Sequence, residues 1–259
     1  MTFDSKIAFY GSIVGFVVGL VGGGGSVLGV PILTYIVGVP SAHIAIGTSA
    51  VSVGVSALLN LVIHSRVGNV DWKIASAFSA CGVVGVILGN QLGLVVEAKR
   101  LMLMFGLLML VIASFMIYKA FFYVDKEVAH KGSVSSTDTH KIIWSGVIAG
   151  LLAGFFGIGG GVLVVPALIV ATGMPAFTAI GSSLVAIVVF SLITIASYSY
   201  GSLVDWNLAA SYTTGALAGT IFGSRLCSYL ARFRLALSLI LAAIIGLVGV
   251  SVVLKSWMY

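Results

Sequence analysis

Two clusters of glycine are the places where this chain could do chemistry with its backbone. Gly22, Gly23, Gly24 and Gly25 run together and lead into Ser26, and Gly157, Gly159, Gly160 and Gly161 form a second cluster. Each glycine inside a helix costs about 1 kcal/mol against alanine, so such clusters end a helix rather than continue it. The apolar run after each cluster then begins a new helix. A helix N-terminus offers unpaired N–H groups and partial positive charge, which suit an anion. Glycine also lets an oxyanion approach the backbone with no side chain in the way. Both clusters therefore read as substrate-binding positions for a small anion. Glycine has a second use, close packing between helices in lipid, and that alternative stays open at both clusters.

Hydroxyl pairs follow each cluster. Thr48-Ser49 and Ser182-Ser183 sit early in the next apolar segments. A hydroxyl can donate to an anion without adding charge, and it can equally bond back to its own helix. The spaced glycines Gly85, Gly89 and Gly93, and Gly215, Gly219 and Gly223, follow the small-xxx-small pattern and read as packing positions. Asn60, Asn90 and Gln91 read as interhelical hydrogen bonders. Asp71-Trp72 and Asp205-Trp206 each combine a helix cap with an interfacial aromatic. His43 and His64 lie near segment ends, and Cys81 and Cys227 read as small buried residues. No apolar segment pairs an acid with a base at mid-depth, which argues against an obvious proton relay. There is no metal-ligand cluster, nucleotide-binding GxxxxGK[ST] or hydrolase GxSxG stretch. Neither an enzyme nor an ATP-driven pump has support, and no cofactor is expected.

Composition says what must position these residues. Hydrophobic residues make up 60% of the 259, charged residues 8%, and mean hydropathy is +1.21. Soluble domains carry about 25% charged residues, so the solvent here is lipid. In lipid only helices and closed barrels satisfy every backbone group. The apolar runs are continuous and of helix length rather than alternating, which excludes a barrel. The net charge of +6 reflects sparse Lys and Arg between apolar runs. That is an orientation signal rather than a nucleic-acid footprint.

Ten apolar segments are predicted, at 7–21, 26–38, 41–63, 72–95, 99–122, 142–156, 161–173, 176–199, 206–231 and 234–256. The third to fifth of each half are long enough to span; the first two are short and split by glycine. The expected organisation is a first transmembrane repeat over 1–122, a cytoplasmic polar linker over 123–141 and a second repeat over 142–259. The halves match in order. GLVGGGGSVLGVP (Gly19 to Pro31) aligns with GFFGIGGGVLVVP (Gly154 to Pro166), identical at eight of thirteen positions. Ile46-Gly47-Thr48-Ser49 aligns with Ile180-Gly181-Ser182-Ser183, and Asp71-Trp72 with Asp205-Trp206. If each short pair returns to the side it started from, three spans leave the second half inverted, as in many secondary transporters. If each pair crosses once, the halves are parallel. On the inverted count one side holds Arg66, Lys73, Lys119, Lys126, Lys131, Lys141, Arg225, Arg232 and Arg234. The other holds Lys6, Lys99, Arg100 and Lys255. The basic side should be cytoplasmic, which puts both termini outside.

The repeated G-x-x-G-x-G-G-G-x-x-x-x-P start, as it stands from Gly154 to Pro166, followed by the Pro175 to Ser183 stretch, resembles the TauE/SafE family of bacterial membrane permeases. The resemblance extends over both halves. It implies a multi-pass protein of the bacterial inner membrane that moves sulfite, sulfonates or other small anions, carried onto Gly22, Gly24, Gly25, Gly157, Gly159, Gly160 and Gly161. Export is favoured energetically, since a singly charged anion leaving a cytoplasm at −100 mV gains about 2.3 kcal/mol. An anion channel and a non-transporting membrane subunit are the competing readings. The expected partners are the small anion and the lipid bilayer, with a homodimer left open and no nucleic acid.

Overall fold

The computed structural model describes residues 4–21, 24–122, 139–229 and 234–258, and these form helices and no strand. In chain order, α1 is Ser5–Val21 and α2 is residues 24–37; α3 is Ala42–Arg66, α4 is Trp72–Val95 and α5 is Ala98–Phe122. The second half holds α6 (Thr139–Phe156), α7 (Gly161–Thr172), α8 (Ala176–Tyr200), α9 (Trp206–Tyr229) and α10 (Arg234–Met258). Most of the expected linker, together with Lys126 and Lys131, lies outside the described residues. Its last three residues are helical. Thr139, His140 and Lys141 form the first turn of α6, with His140 and Lys141 exposed.

Local chemistry sets the ends. Asp71 Oδ1 accepts the Ile74 N–H at 3.1 Å, and Asp205 Oδ1 accepts that of Leu208 at 3.0 Å, so both aspartates cap their helices. Gly173, at φ +67°, closes α7 by donating its N–H to the Ile169 carbonyl, the usual left-handed glycine stop. The two short helices differ in build. α7 is regular α-helix. α2 winds as a tight 3-10 turn over Gly24–Leu28, one α turn over Gly29–Ile32 and a wide π turn over Leu33–Val37.

Five helices, α3, α4, α5, α8 and α10, contain stretches long and apolar enough to cross a membrane. The sequence led us to expect six. α9 has the length but carries Ser211, Tyr212, Thr213, Thr214, Thr220 and Ser224. Several of these hydroxyls bond to backbone carbonyls, whereas those of Tyr212 and Thr213 have no partner. Thr220 Oγ1 donates to the Ala216 and Gly15 carbonyls, and Thr214 and Ser224 bond back to their own helix.

The two halves exchange helices. α1 packs along α9, and α6 packs along α4. Glycine makes both contacts possible. A Cβ placed on Gly11, Gly15 or Gly19 would run into the backbone at Tyr212, Ala216 and Thr220, and one on Gly215, Gly219 or Gly223 into that at Ala8, Ser12 and Phe16. The same holds between Gly85, Gly89 and Gly93 of α4 and the Val147, Leu151 and Phe155 backbone of α6. In both pairs rising number meets rising number, so the helices run in the same direction. α3 and α8 cross with Gly54 at Ser191 and Gly47 at Tyr198, and α5 meets α10 with Gly106 at Val253 and Gly246 at Ala113. These two pairs run in opposite directions.

Leucine at Gly89 or Gly219 must drive its helix pair apart, because the obstacle is backbone and cannot rotate away. Overpacking of this kind costs about 2 kcal/mol or more. Either substitution should lower both the yield of monodisperse protein and its melting temperature in detergent; an unchanged melting temperature would contradict the packing described.

Candidate functional site

The second glycine cluster is a break buried in the middle of the bundle. α6 stops at Phe156, and the chain turns through Gly157, Ile158, Gly159 and Gly160 before α7 starts at Gly161. Gly157, Gly159 and Gly160 have φ of +63°, +66° and +81°. This is left-handed backbone, which L side chains resist. Space is the second reason for glycine here. A Cβ on Gly157 would overlap the Ile46 side chain, and one on Gly159 would lie 2.8 Å from Val53 and 2.9 Å from Ser191 Oγ. Val53 and Ser191 sit about midway along α3 and α8, so the break lies where those two helices cross.

The turn leaves donors free. Leu163 and Val164 both donate to the Gly160 carbonyl, while within the described residues the N–H groups of Gly159, Gly160, Gly161 and Val162 make no backbone hydrogen bond. They are the orphan donors of the α7 N-terminus. Among the side chains described no Lys or Arg is buried, and among the described residues no group of His, Cys, Asp and Glu could hold a metal ion. Any charge accepted here meets backbone dipoles and hydroxyls.

The first cluster lies against this break. The Gly24–Leu28 turn packs on α7. Ser26, Val27 and Leu28 are buried, and Val27 and Leu28 share a core with Ile158. Gly22 and Gly23 fall outside the described residues. Just beyond, Gly29 faces the Ser49 side chain at 3.4 Å and the Tyr212 hydroxyl at 3.8 Å from its would-be Cβ. The structure thus brings Gly24, Gly25, Ser26, Gly157, Gly159, Gly160 and Gly161 to one region.

The four hydroxyls named from sequence have other work. Thr48 Oγ1 accepts the Asp205 N–H at 3.1 Å, and Ser182 Oγ accepts the Asp71 N–H at 2.9 Å. Each ties the long third segment of one half to the α9 or α4 start of the other, at opposite ends of the α3–α8 pair. Ser49 and Ser183 bond back to the Ile46 and Ile180 carbonyls. Asn60 and Asn90 act between helices, as their polar character in apolar surroundings suggests. Asn60 Nδ2 donates to the Val18 carbonyl, Asn90 Nδ2 to Ser197 Oγ, and Thr194 Oγ1 donates to Asn90 Oδ1.

Sequence reasoning passed over a different set. Ser52, Ser56 and Ser191 are buried with hydroxyls that have no hydrogen-bond partner, as are those of Tyr198 and Tyr212. Ser52, Ser56 and Asn60 recur every four residues on one stripe of α3, whose far end reaches the Val18 carbonyl in α1. The available signal was polarity in the middle of the longest apolar runs. A single serine there is indistinguishable from a small packing residue until its neighbours are known.

Residues 7–252 match the family model described as Sulfite exporter TauE/SafE. The chain is 40% identical over 262 residues to a probable membrane transporter protein of Xylella fastidiosa (strain Temecula1), covering 99% of this chain and 98% of that one. It is 25% identical over 236 residues to the probable membrane transporter protein YdhB of Bacillus subtilis, covering 91% and 95%. A Methanocaldococcus jannaschii protein with the same description is 32% identical over 171 residues, covering 61% and 60%. No solved structure matches.

The Thr48 and Ser182 bonds should behave as structural ties. Thr48→Val and Ser182→Ala each remove the acceptor for a part-buried N–H, at about 1–2 kcal/mol. The two sites lie at opposite ends of the bundle, so the losses should add in the double variant. Unfolding in detergent measures both; strong non-additivity would mean the ties act as one unit.

Proposed function

We infer from one premise, that the chain belongs to the sulfite exporter TauE/SafE family, that this membrane transporter carries small anions, most favourably sulfite or organosulfonates outward. The observation that supports an anion is the buried break before α7, with its unpaired N–H groups and no buried Lys or Arg among the side chains described. Unsatisfied backbone donors at mid-depth in a membrane are expensive. A break that only needed to turn the chain gains nothing by leaving them free. The binding position is where the N-termini near Ser26 and Gly161 converge, held mainly by backbone N–H groups.

The same proposal makes the halves inverted repeats. Helix directions support it. α3 opposes its counterpart α8, and α5 opposes its counterpart α10. α4 runs with α6, and Asn90 beside Thr194 and Ser197 together with Asp71 beside Ser182 indicate that it also runs with α8. α1 runs with α9, which follows α8 through a short turn and so runs against it. On these directions α1 opposes α6. They also gather Arg66, Lys73, Lys141 and Arg225 at one end of the bundle and Lys6, Lys99, Arg100 and Lys255 at the other. The positive-inside rule makes the first end cytoplasmic and both termini periplasmic.

A flux screen of purified protein in liposomes tests the transport reading. Sulfite or an alkylsulfonate should move with saturable kinetics, and Gly160→Leu should abolish that flux at unchanged membrane insertion. Absence of flux for every small anion would overturn it. Reporter fusions at the C-terminus test the orientation, which fails if the C-terminus is cytoplasmic.

A further inference from the structure

We propose that Ser191 supplies the side-chain donor of the anion site at the second break, and that the site selects singly charged oxyanions over doubly charged ones. This rests on the anion-transport reading above and narrows it.

Ser191 is fully buried, and its hydroxyl has no partner. Helical serines ordinarily bond back to their own helix, as Ser49 and Ser183 do here. The Ser191 Oγ instead lies 2.9 Å from the position a Gly159 Cβ would occupy, so it faces the turn whose N–H groups are free. Gly54 of α3 closes the other side, its would-be Cβ 3.0 Å from Ser191 Cβ. The remaining neighbours of Gly159 are the methyls of Val53 and Ile187. The first half has no matching hydroxyl. By the alignment of Gly47 with Gly181, the counterpart of Ser191 is Ala57. The side-chain donor is therefore one-sided and belongs to the break that opens a regular twelve-residue helix.

Charge selectivity follows from what surrounds the hydroxyl. Each helix N-terminus supplies roughly half a positive charge, so the two that converge supply at most roughly +1, and no buried Lys or Arg among the side chains described adds to it. A singly charged anion is left near neutral and a doubly charged one with a residual of roughly −1. The cost of holding charge in a low-dielectric site rises with its square. The doubly charged ion is disfavoured.

The test uses full-length protein in detergent with methanesulfonate and sulfate as probes, read by calorimetric titration and by melting temperature. The wild type should bind methanesulfonate at least tenfold more tightly than sulfate. Ser191→Ala should weaken methanesulfonate binding about tenfold without lowering the melting temperature of the unliganded protein, because the lost hydroxyl had no partner. Ser56→Ala, which removes another buried unpartnered hydroxyl, should leave binding unchanged. Unaltered binding in Ser191→Ala, or an equal loss in Ser56→Ala, overturns the assignment of Ser191 while leaving anion transport standing. Sulfate binding as tightly as methanesulfonate overturns the charge selectivity. If the wild type binds neither probe and moves no anion in liposomes, the transport reading itself falls.

Discussion

In hydrocarbon a backbone N–H with no partner costs several kcal/mol, and this chain leaves such groups unpaired in the middle of its bundle. The rest of the structure is arranged around that cost. The turn at Gly157–Gly160 is enclosed by α3, α7 and α8, with Ile46, Val53, Ala153, Ile187 and Phe190 against its glycines. None of those side chains competes for the donors. The neighbouring turn at Gly24–Leu28 seals the region from the first half. A break that would unravel if it faced lipid is held by contacts from both halves.

Holding it requires the halves to interlock. α1 and α6, the helices that lead into the two breaks, lie on α9 and α4 of the opposite half, and glycine lets the backbones touch. The Thr48–Asp205 and Ser182–Asp71 bonds repeat the exchange at the two ends of the α3–α8 pair. Neither half is complete by itself: each contributes the leading helix of one unit and the long helix that supports the other. The repetition of this pattern matches the repetition in sequence, from Gly19 and Gly154 through Asp71 and Asp205.

Much of this was legible before any coordinates. Segment ends coincide closely with helix ends because glycine, proline and aspartate mark them: Asp71, Gly160, Gly173 and Asp205 each stop or start an element for a local reason. The packing glycines were legible because four-residue spacing has few other uses in a membrane helix. Three things were not. α9 reads as a span by length, yet its apolar content is low, with Ser and Thr recurring along it and Thr220 donating to the Gly15 carbonyl of α1, a fact of tertiary contact. Thr48 and Ser182 stand next to the helix N-termini of the opposite half, which no single-half pattern reveals. Ser191 carries no local mark at all. Its significance depends on Gly159, thirty-two residues earlier in the chain, arriving beside it.

The exchanged helices also set a timetable for making the protein. α6 finishes 61 residues after α4, from Val95 to Phe156, whereas α9 finishes 208 residues after α1, from Val21 to Tyr229. At a synthesis rate of about 10 residues per second the first wait is about 6 s and the second about 20 s. Over that interval the face of α1 that carries Gly11, Gly15 and Gly19 lacks the α9 backbone it packs on in the finished bundle. α1 is thus made long before the helix it packs on, and any chaperone or insertase that assists this chain must shield its glycine face over that interval.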